Sequence, residues 1–354
     1  MAPRPTRDCL VVGASAGGLD ATSSLLVQLD AGFPAAILVV LHVAAEAEGR
    51  HAALLDRASP LPVALAEDGE PLRRGHVYVA PPDHHLFVDP PTAPGAVGRA
   101  GVVRGPKENR VRPAIDPLFR SAAVVCGSGA MGVLLSGLLD DGVAGLDAIQ
   151  RCGGVAIVQE PGDAAYPDLP RNALAHLAPD HVVPVHRMGG LLRELAAAAP
   201  RAAVAVPDDV VMETRIAKRA ESNVAADDRI GTPAPYGCPE CGGPLWQMDD
   251  AVPKRYRCHV GHGYTARTLL AEQEEQTERA LWAALRTLEE RAHLLEEMAA
   301  GADPRTGLSQ RAADARQHAD HLRGLLLGGG DPATGTAAPG ASGNGAHAGG
   351  EAPR

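Results

Sequence analysis

Between Asp8 and Val185 the chain alternates short β-branched runs with helical patterns, and few architectures admit that rhythm. Cys9–Gly13, Ala36–His42, Val77–Ala80, Gly132–Ser136, Val155–Gln159 and Val182–Val185 read as strands, each a brief apolar run bounded by turn residues. Leu19–Leu29, Ala52–Ala58, Pro117–Val125, Gly142–Arg151 and Leu169–Ala178 suit helices. The alternation predicts an α/β fold, a mostly parallel, doubly wound sheet with helices on both faces. Gly101–Val103 adds a further strand, entered from the Pro- and Gly-rich turn Asp89–Gly98. Only 3% of the residues are aromatic, so Ala, Val and Leu must fill the core.

Past residue 199 the rhythm stops. Residues 200–234 have weak periodicity and mixed charge, which reads as a linker carrying a short helix around Val211–Glu221. Residues 235–264 form a compact cysteine segment. In residues 265–328, Leu281, Leu285, Leu288, Ala292, Leu295 and Ala299 make one apolar seam on a helix. Asp303-Pro304 suits an N-cap and first position of a second helix ending near Leu327. The two helices make either a hairpin or a homodimerising coiled coil. Residues 329–354 are a Gly, Ala and Pro tail expected to be disordered.

A net charge of −10 argues against a nucleic-acid partner, which needs a basic face. No apolar run reaches the ~18 residues of a membrane span, and Met1–Cys9 has no hydrophobic signal region. The expectation is a cytoplasmic protein that is not membrane-embedded.

Gly13-Ala14-Ser15-Ala16-Gly17 follows the first strand and precedes the first helix, the setting of a Gly-x-Ser-x-Gly nucleophile turn. The helix N-terminus behind it offers N–H groups to a developing oxyanion. The competing reading is a glycine-rich turn with a serine helix cap. The glycines do not fit a dinucleotide fingerprint, and no lysine completes a P-loop. A nucleophilic serine needs a base, and the base needs an orienting carboxylate. His42 ends the second strand pattern, and Asp140 and Asp141 follow another, so three strand ends offer Ser, His and Asp. Taken singly, His42 reads as a structural histidine and the aspartates as helix caps.

These residues resemble the catalytic domain of CheB, the chemotaxis protein-glutamate methylesterase. The likeness spans about 180 residues. It rests on Val12-Gly13-Ala14-Ser15-Ala16-Gly17-Gly18, Leu41-His42, Asp68-Gly69-Glu70 and Gly75-His76-Val77-Tyr78-Val79-Ala80-Pro81. Asn109-Arg110-Val111-Arg112-Pro113, Asp116, Leu118-Phe119, Asp141-Gly142-Val143-Ala144-Gly145 and Pro170-Arg171-Asn172-Ala173 extend it. The resemblance implies Ser15 as nucleophile, His42 as general base and Asp141 as orienting acid. It also implies hydrolysis of glutamate γ-methyl esters on methylated chemoreceptor cytoplasmic helices, with glutamine deamidation by the same acyl chemistry and no cofactor. Ala16 stands where the family commonly has Thr, and Leu138-Leu139 where it has Met-Gly. The second change puts a side chain on a backbone position suited to glycine. The receiver domain that usually precedes this one is not expected, because the Ser15 turn lies so near Met1. His84 and His85 read as structural or groove-lining, and Arg112 and Arg171 as loop anchors through ion pairs, with substrate contact as the alternative.

Cys9, Cys126 and Cys152 are scattered among apolar residues and read as small buried hydrophobes. Cys238-Pro239-Glu240-Cys241 and Cys258-His259-Val260-Gly261-His262 instead form two pairs of soft ligands. They predict a structural tetrahedral zinc on Cys238, Cys241, Cys258 and His262, with His259 as the alternative fourth ligand. A redox Cys-x-x-Cys is the rival reading. The segment resembles extensions that follow CheB-like domains in some orphan relatives. Two functions follow: a serine methylesterase with a zinc-stabilised interaction module, or a non-catalytic signalling scaffold on the same fold.

Overall fold

The computed structural model describes residues 7–218, 231–249, 252–300 and 304–327. It divides into a first unit, Met1–Gln273, and a second, Glu274–Arg354.

The first unit opens with β1 (Cys9–Ala14), α1 (Gly18–Leu26), β2 (Ala36–Leu41), α2 (Arg50–Ala58), β3 (Val63–Leu65) and β4 (Val77–Val79). An antiparallel ribbon of β5 (His85–Asp89) and β6 (Arg99–Val103) follows, then α3 (Ile115–Cys126) and β7 (Ala130–Leu134). The sheet is completed through α4 (Val143–Arg151), β8 (Val155–Gln159), α5 (Asp168–His176), β9 (His181–Val183) and α6 (Val185–Ala197). Its order is β3-β4-β2-β1-β7-β8-β9, with every pair parallel. The α/β architecture expected from the sequence is present.

Strand alternation sends neighbouring residues to opposite faces. Cys9 and Val11 of β1, with Ala36, Leu38 and Val40 of β2, pack under α3 and α4. Leu10, Val12, Ile37 and Val39 pack under the layer that includes Leu25 of α1 and Leu192 of α6. Both sides of the central strands are therefore dry, which is why they read as unbroken apolar runs. Cys9 and Cys152 are fully buried, as expected, and Cys126 half-buried.

Three elements of the α/β body were not marked in the sequence. β3 is three half-buried edge residues, too short for alternation to show. His85 and Asp89 bracket β5 with polar groups that mask its apolar centre. Val185, expected to end a strand, starts α6, because Pro184 has no N–H to continue the ladder.

Part of the expected linker is also structured. α7 (Asp208–Ala217) begins earlier than the helix expected at Val211–Glu221, with Asp208 and Asp209 favouring its positive N-terminal end. It buries Val210, Glu213 and Ile216 and belongs to the first unit, so this stretch is not a free linker. An antiparallel sheet of β10 (Thr232–Gly237), β11 (Pro244–Gln247), β12 (Arg255–Cys258) and β13 (Gly263–Thr265) then leads into α8 (Ala266–Ala299).

The second unit holds most of α8 and all of α9 (Leu308–Leu327), linked by ion pairs from Arg316 to Glu296 and from Arg323 to Glu289. Leu285, Ala292 and Leu295 of the expected seam are buried, as are Ala312, Ala315 and Ala319 of α9. The helices thus pair within one chain. Asp303 and the tail 329–354 lie outside the described residues.

Candidate active site

β1 lies between β2 and β7. The chain leaves β1 toward β2 on one side and returns to β7 on the other, so the loops after these strands flank a switch-point crevice. Ser15 follows β1 directly, His42 follows β2, and Asp141 sits in the loop between β7 and α4.

Ser15, His42 and Asp141 join in one chain of hydrogen bonds. His42 Nδ1 lies 3.0 Å from Ser15 Oγ, and His42 Nε2 lies 2.8 Å from Asp141 Oδ2. Because Nε2 faces a carboxylate, it carries the proton, and Nδ1 is left to accept from the serine hydroxyl. Asp141 is almost fully buried and also accepts from Ile115 N at 2.6 Å and from Asn109 Nδ2 at 2.8 Å. Burial pushes its carboxyl upward, but His42 and these two donors outweigh burial and hold it below the ordinary value. The carboxylate therefore stays charged and directed at the ring.

The serine turn is built differently from a strained serine elbow. The left-handed residue is Gly17, at φ 69°, and not Ser15. A side chain at Gly17 would also crowd Ser136 Oγ and the Tyr166 ring, at 2.9 and 3.0 Å. Ser15 N donates to Ser136 O at 3.0 Å, and Ser136 Oγ donates to Ala16 O at 2.8 Å, so the end of β7 ties down the turn after β1. The amides of Ala16 and Gly17, at the start of α1, have no acceptor among the described residues. They are the donors such a site would turn toward an oxyanion.

Leu139 has φ 60°, the left-handed conformation that glycine would take without cost. Leu139 thus holds a backbone conformation that a glycine would adopt freely, and Asn172 Nδ2 donates to Leu139 O. Asp140 is not part of the Ser–His–Asp chain; it accepts from Thr265 Oγ1 at 2.8 Å. Asp116 accepts from the Gly142 and Gly145 amides at 3.0 and 2.7 Å, capping α4. Burial and the Asp141 charge raise Asp116 to about 7.

His85 is structural, as one of its two readings had it: Nε2 meets Pro106 O at 2.8 Å, and Nδ1 accepts from Ala114 N at 3.1 Å. Its ring is fully buried, and burial lowers its pKa. Arg112 anchors a loop through Asp83 at 2.9 Å. Arg171 is exposed and makes no ion pair among the described residues, so it does not anchor a loop through an ion pair, the role expected of it. Ser136 and Tyr166 escaped the sequence reading, and Asn109 and Asp116 entered only as motif positions. Their roles depend on contacts between loops far apart in the chain.

Cys238, Cys241, Cys258 and His262 converge, with all ligand atoms within 4.8 Å of one another. Cys241 Sγ lies 3.8 Å from Cys258 Sγ, while His262 Nδ1 lies 3.7 and 3.5 Å from Cys238 Sγ and Cys258 Sγ. A tetrahedron with ordinary Zn–S and Zn–N bonds has edges of about 3.8 Å between sulfurs and about 3.6 Å from sulfur to nitrogen. The donor set therefore fits a structural metal of that size. His259 instead sets its ring against Trp246, with centroids 4.0 Å apart. Gly242 (φ 72°) and Gly261 (φ 105°) make the two ligand turns.

A Ser–His–Asp chain at the carboxyl edge of a parallel sheet defines a hydrolase-like α/β domain. Residues 10–192 match the family described as CheB methylesterase. A putative protein-glutamate methylesterase/protein-glutamine glutaminase from Leptospira interrogans is 33% identical over 189 residues, covering 53% of this chain and 94% of that protein. Protein-glutamate methylesterase/protein-glutamine glutaminase 3 from Anaeromyxobacter dehalogenans is 40% identical over 184 residues, spanning 50% of this chain and 52% of the relative. The crystal structure of the Thermotoga maritima CheB methylesterase catalytic domain aligns at TM-score 0.51 and 31% identity, over 53% of this chain and 98% of that one. The chain belongs to the CheB methylesterase family.

Proposed function

We propose that the protein is a cytoplasmic serine esterase that hydrolyses glutamate γ-methyl esters on methylated chemoreceptor helices, and deamidates glutamine by the same route. The hydrogen-bonded chain Ser15–His42–Asp141 carries this reading, with the family match behind it. Ser15 Oγ attacks the ester carbonyl as His42 Nδ1 takes its proton, and the Ala16 and Gly17 amides face the developing oxyanion. His42 then returns the proton to the departing methoxide, and methanol leaves an acyl-serine. Water gives a proton to His42, attacks the acyl carbon, and the proton returns to Ser15 Oγ as glutamate is released. With a glutamine substrate the leaving group is ammonia. Asp141 stays ionised throughout and stabilises the imidazolium.

The intact chain favours this enzyme over the scaffold reading, since Leu139 occupies the left-handed position without displacing Asp141. We also read the Cys238, Cys241, Cys258 and His262 cluster as a structural zinc site, because its fourth position is filled by protein and leaves no opening for substrate. The zinc segment and the α8–α9 helices form the targeting or dimerising module in this reading. The test is methanol release from methyl-esterified receptor fragments. Ser15→Ala and His42→Ala should each abolish turnover while keeping the wild-type circular dichroism; turnover surviving in Ser15→Ala would refute the assignment.

A further inference from the structure

The ligand turn Cys258–His262 runs directly into residues that hold the Asp141 carboxylate. Gly263, the next residue, accepts from Asn109 N at 2.8 Å. Thr265 N and Thr268 Oγ1 both donate to Asn109 Oδ1, at 3.1 and 3.2 Å. With its oxygen engaged there, the Asn109 amide must point its NH2 the other way. That group donates to Asp141 Oδ1 at 2.8 Å and to Asp116 Oδ2 at 3.0 Å. Thr265 Oγ1 reaches Asp140, the neighbour of Asp141. Both threonine side chains are fully buried, and among the described residues neither is hydrogen-bonded to Ser15 or His42.

A second strut runs alongside. Arg257, adjacent to Cys258, donates to Gly261 O at 2.8 Å inside the ligand turn and to Glu108 Oε1 at 3.1 Å. Residues 108 and 109 are thus both gripped from the cysteine segment. Asn109 and Arg110 sit at φ 51° and 74°, a left-handed pair that side-chain-bearing residues leave when nothing holds them.

We infer that Thr265 and Thr268 are positioning residues for hydrolysis at Ser15, acting through Asn109 on Asp141, and that closure of the Cys258–His262 turn by its metal sets them in place. This rests on the reading of Ser15 as nucleophile. Opening the turn releases Gly263 and Thr265 from Asn109 and lets the amide rotate. Asp141 then loses a donor, and its hold on the His42 ring slackens. Substrate affinity is untouched, because the buried threonines touch no substrate.

The test uses the full, metal-loaded chain and three readouts: methanol release, the rate at which a fluorophosphonate labels Ser15, and the low-field proton resonance of the His42–Asp141 bond. The Thr265→Val/Thr268→Val double variant should lose roughly ten-fold in kcat and in labelling rate, equivalent to ~1.4 kcal/mol. KM and metal content should hold, the low-field resonance should broaden or shift, and Thr265→Ser/Thr268→Ser should restore all three readouts. Chelating the metal from the wild type should slow labelling by a similar factor with the parallel sheet folded, and added Zn2+ should reverse it. Unchanged labelling in the metal-bound double variant overturns the inference; if that variant misfolds, unchanged labelling after chelation overturns it. A wild type that is labelled but releases no methanol refutes the proposed substrate, while the labelling arm still decides the coupling. A wild type that is not labelled refutes both.

Discussion

Leu139 stands at φ 60° in the loop that delivers Asp141, and a leucine there stores strain of about 1–2 kcal/mol that glycine would not. Part of that relief would be offset by the extra backbone entropy of glycine in the unfolded chain. Leu139→Gly should therefore raise stability by up to ~1 kcal/mol, read as a higher thermal midpoint. The same substitution should leave methanol release at or above the wild-type rate, since φ is already the value a glycine accepts. A drop in melting temperature would mean that packing of the half-buried leucine outweighs its backbone strain. Ser136 makes the complementary case, because its hydroxyl both donates to Ala16 O and accepts from Tyr166 N. Ser136→Ala should lower kcat several-fold by loosening the Ser15 turn, with little change in folding; an unaltered kcat would show that the backbone bond from Ser15 N is enough.

Between elements, the decisive contact is a buried cluster of charges. Glu108 and Glu213 from a loop and α7 meet Arg120 of α3 and Arg255 and Arg257 of β12. This cluster fastens α7 and the cysteine segment to the parallel-sheet body. Burial opposes ionisation of Glu213, yet Arg255, Arg120 and Arg257 bring it down to about 2 from 4.5. Glu108 is lowered in the same way, against burial, chiefly by Arg120 and Arg257. For groups lowered in the folded state, the stabilisation is complete above the unfolded value, 4.5, and is lost as pH falls toward about 2. Urea midpoints should therefore fall steeply below about pH 4.5 in the wild type. Glu213→Ala should cost about 3–5 kcal/mol even at neutral pH, since it leaves buried arginines without their counter-charge. A loss under about 1 kcal/mol would mean that water takes the place of the carboxylate. Asp116 acts with the opposite sign: raised to about 7 from 3.8, it withdraws stability as pH rises through that interval.

For the whole molecule, the parallel sheet has two dry faces of its own, whereas the β10–β13 sheet buries only a small apolar group around Leu245, Tyr256 and Tyr264. A segment with so little core depends on its metal. Chelation should unfold β10–β13, seen as a change in the fluorescence of Trp246, which packs on His259, while most of the α/β circular dichroism persists. Native fluorescence after complete metal loss would show that the Arg–Glu cluster suffices to hold the segment. No helix among the described residues is long and apolar enough to cross a membrane.

The roles of His42 and Asp141 came from the family resemblance, whereas the alternation of apolar runs and helices, the Gly13–Gly17 turn and the Cys–His spacing were enough to read the α/β class, Ser15 as a candidate nucleophile and the metal-ligand candidates. Each is a local pattern, written in residues a few positions apart. Asn109, Ser136, Thr265 and Thr268 carried no such signal, because a lone polar residue reads the same whether it faces water or a buried carboxylate. What made them matter is that β7 lies beside β1 and that β13 lies against the loop holding Asn109. The stretch read as a linker failed for the same reason. Glu213 looks like a solvated charge until folding sets three arginines around it. Burial, not sequence spacing, turned those polar groups into obligate partners, and burial is a property of the folded chain alone.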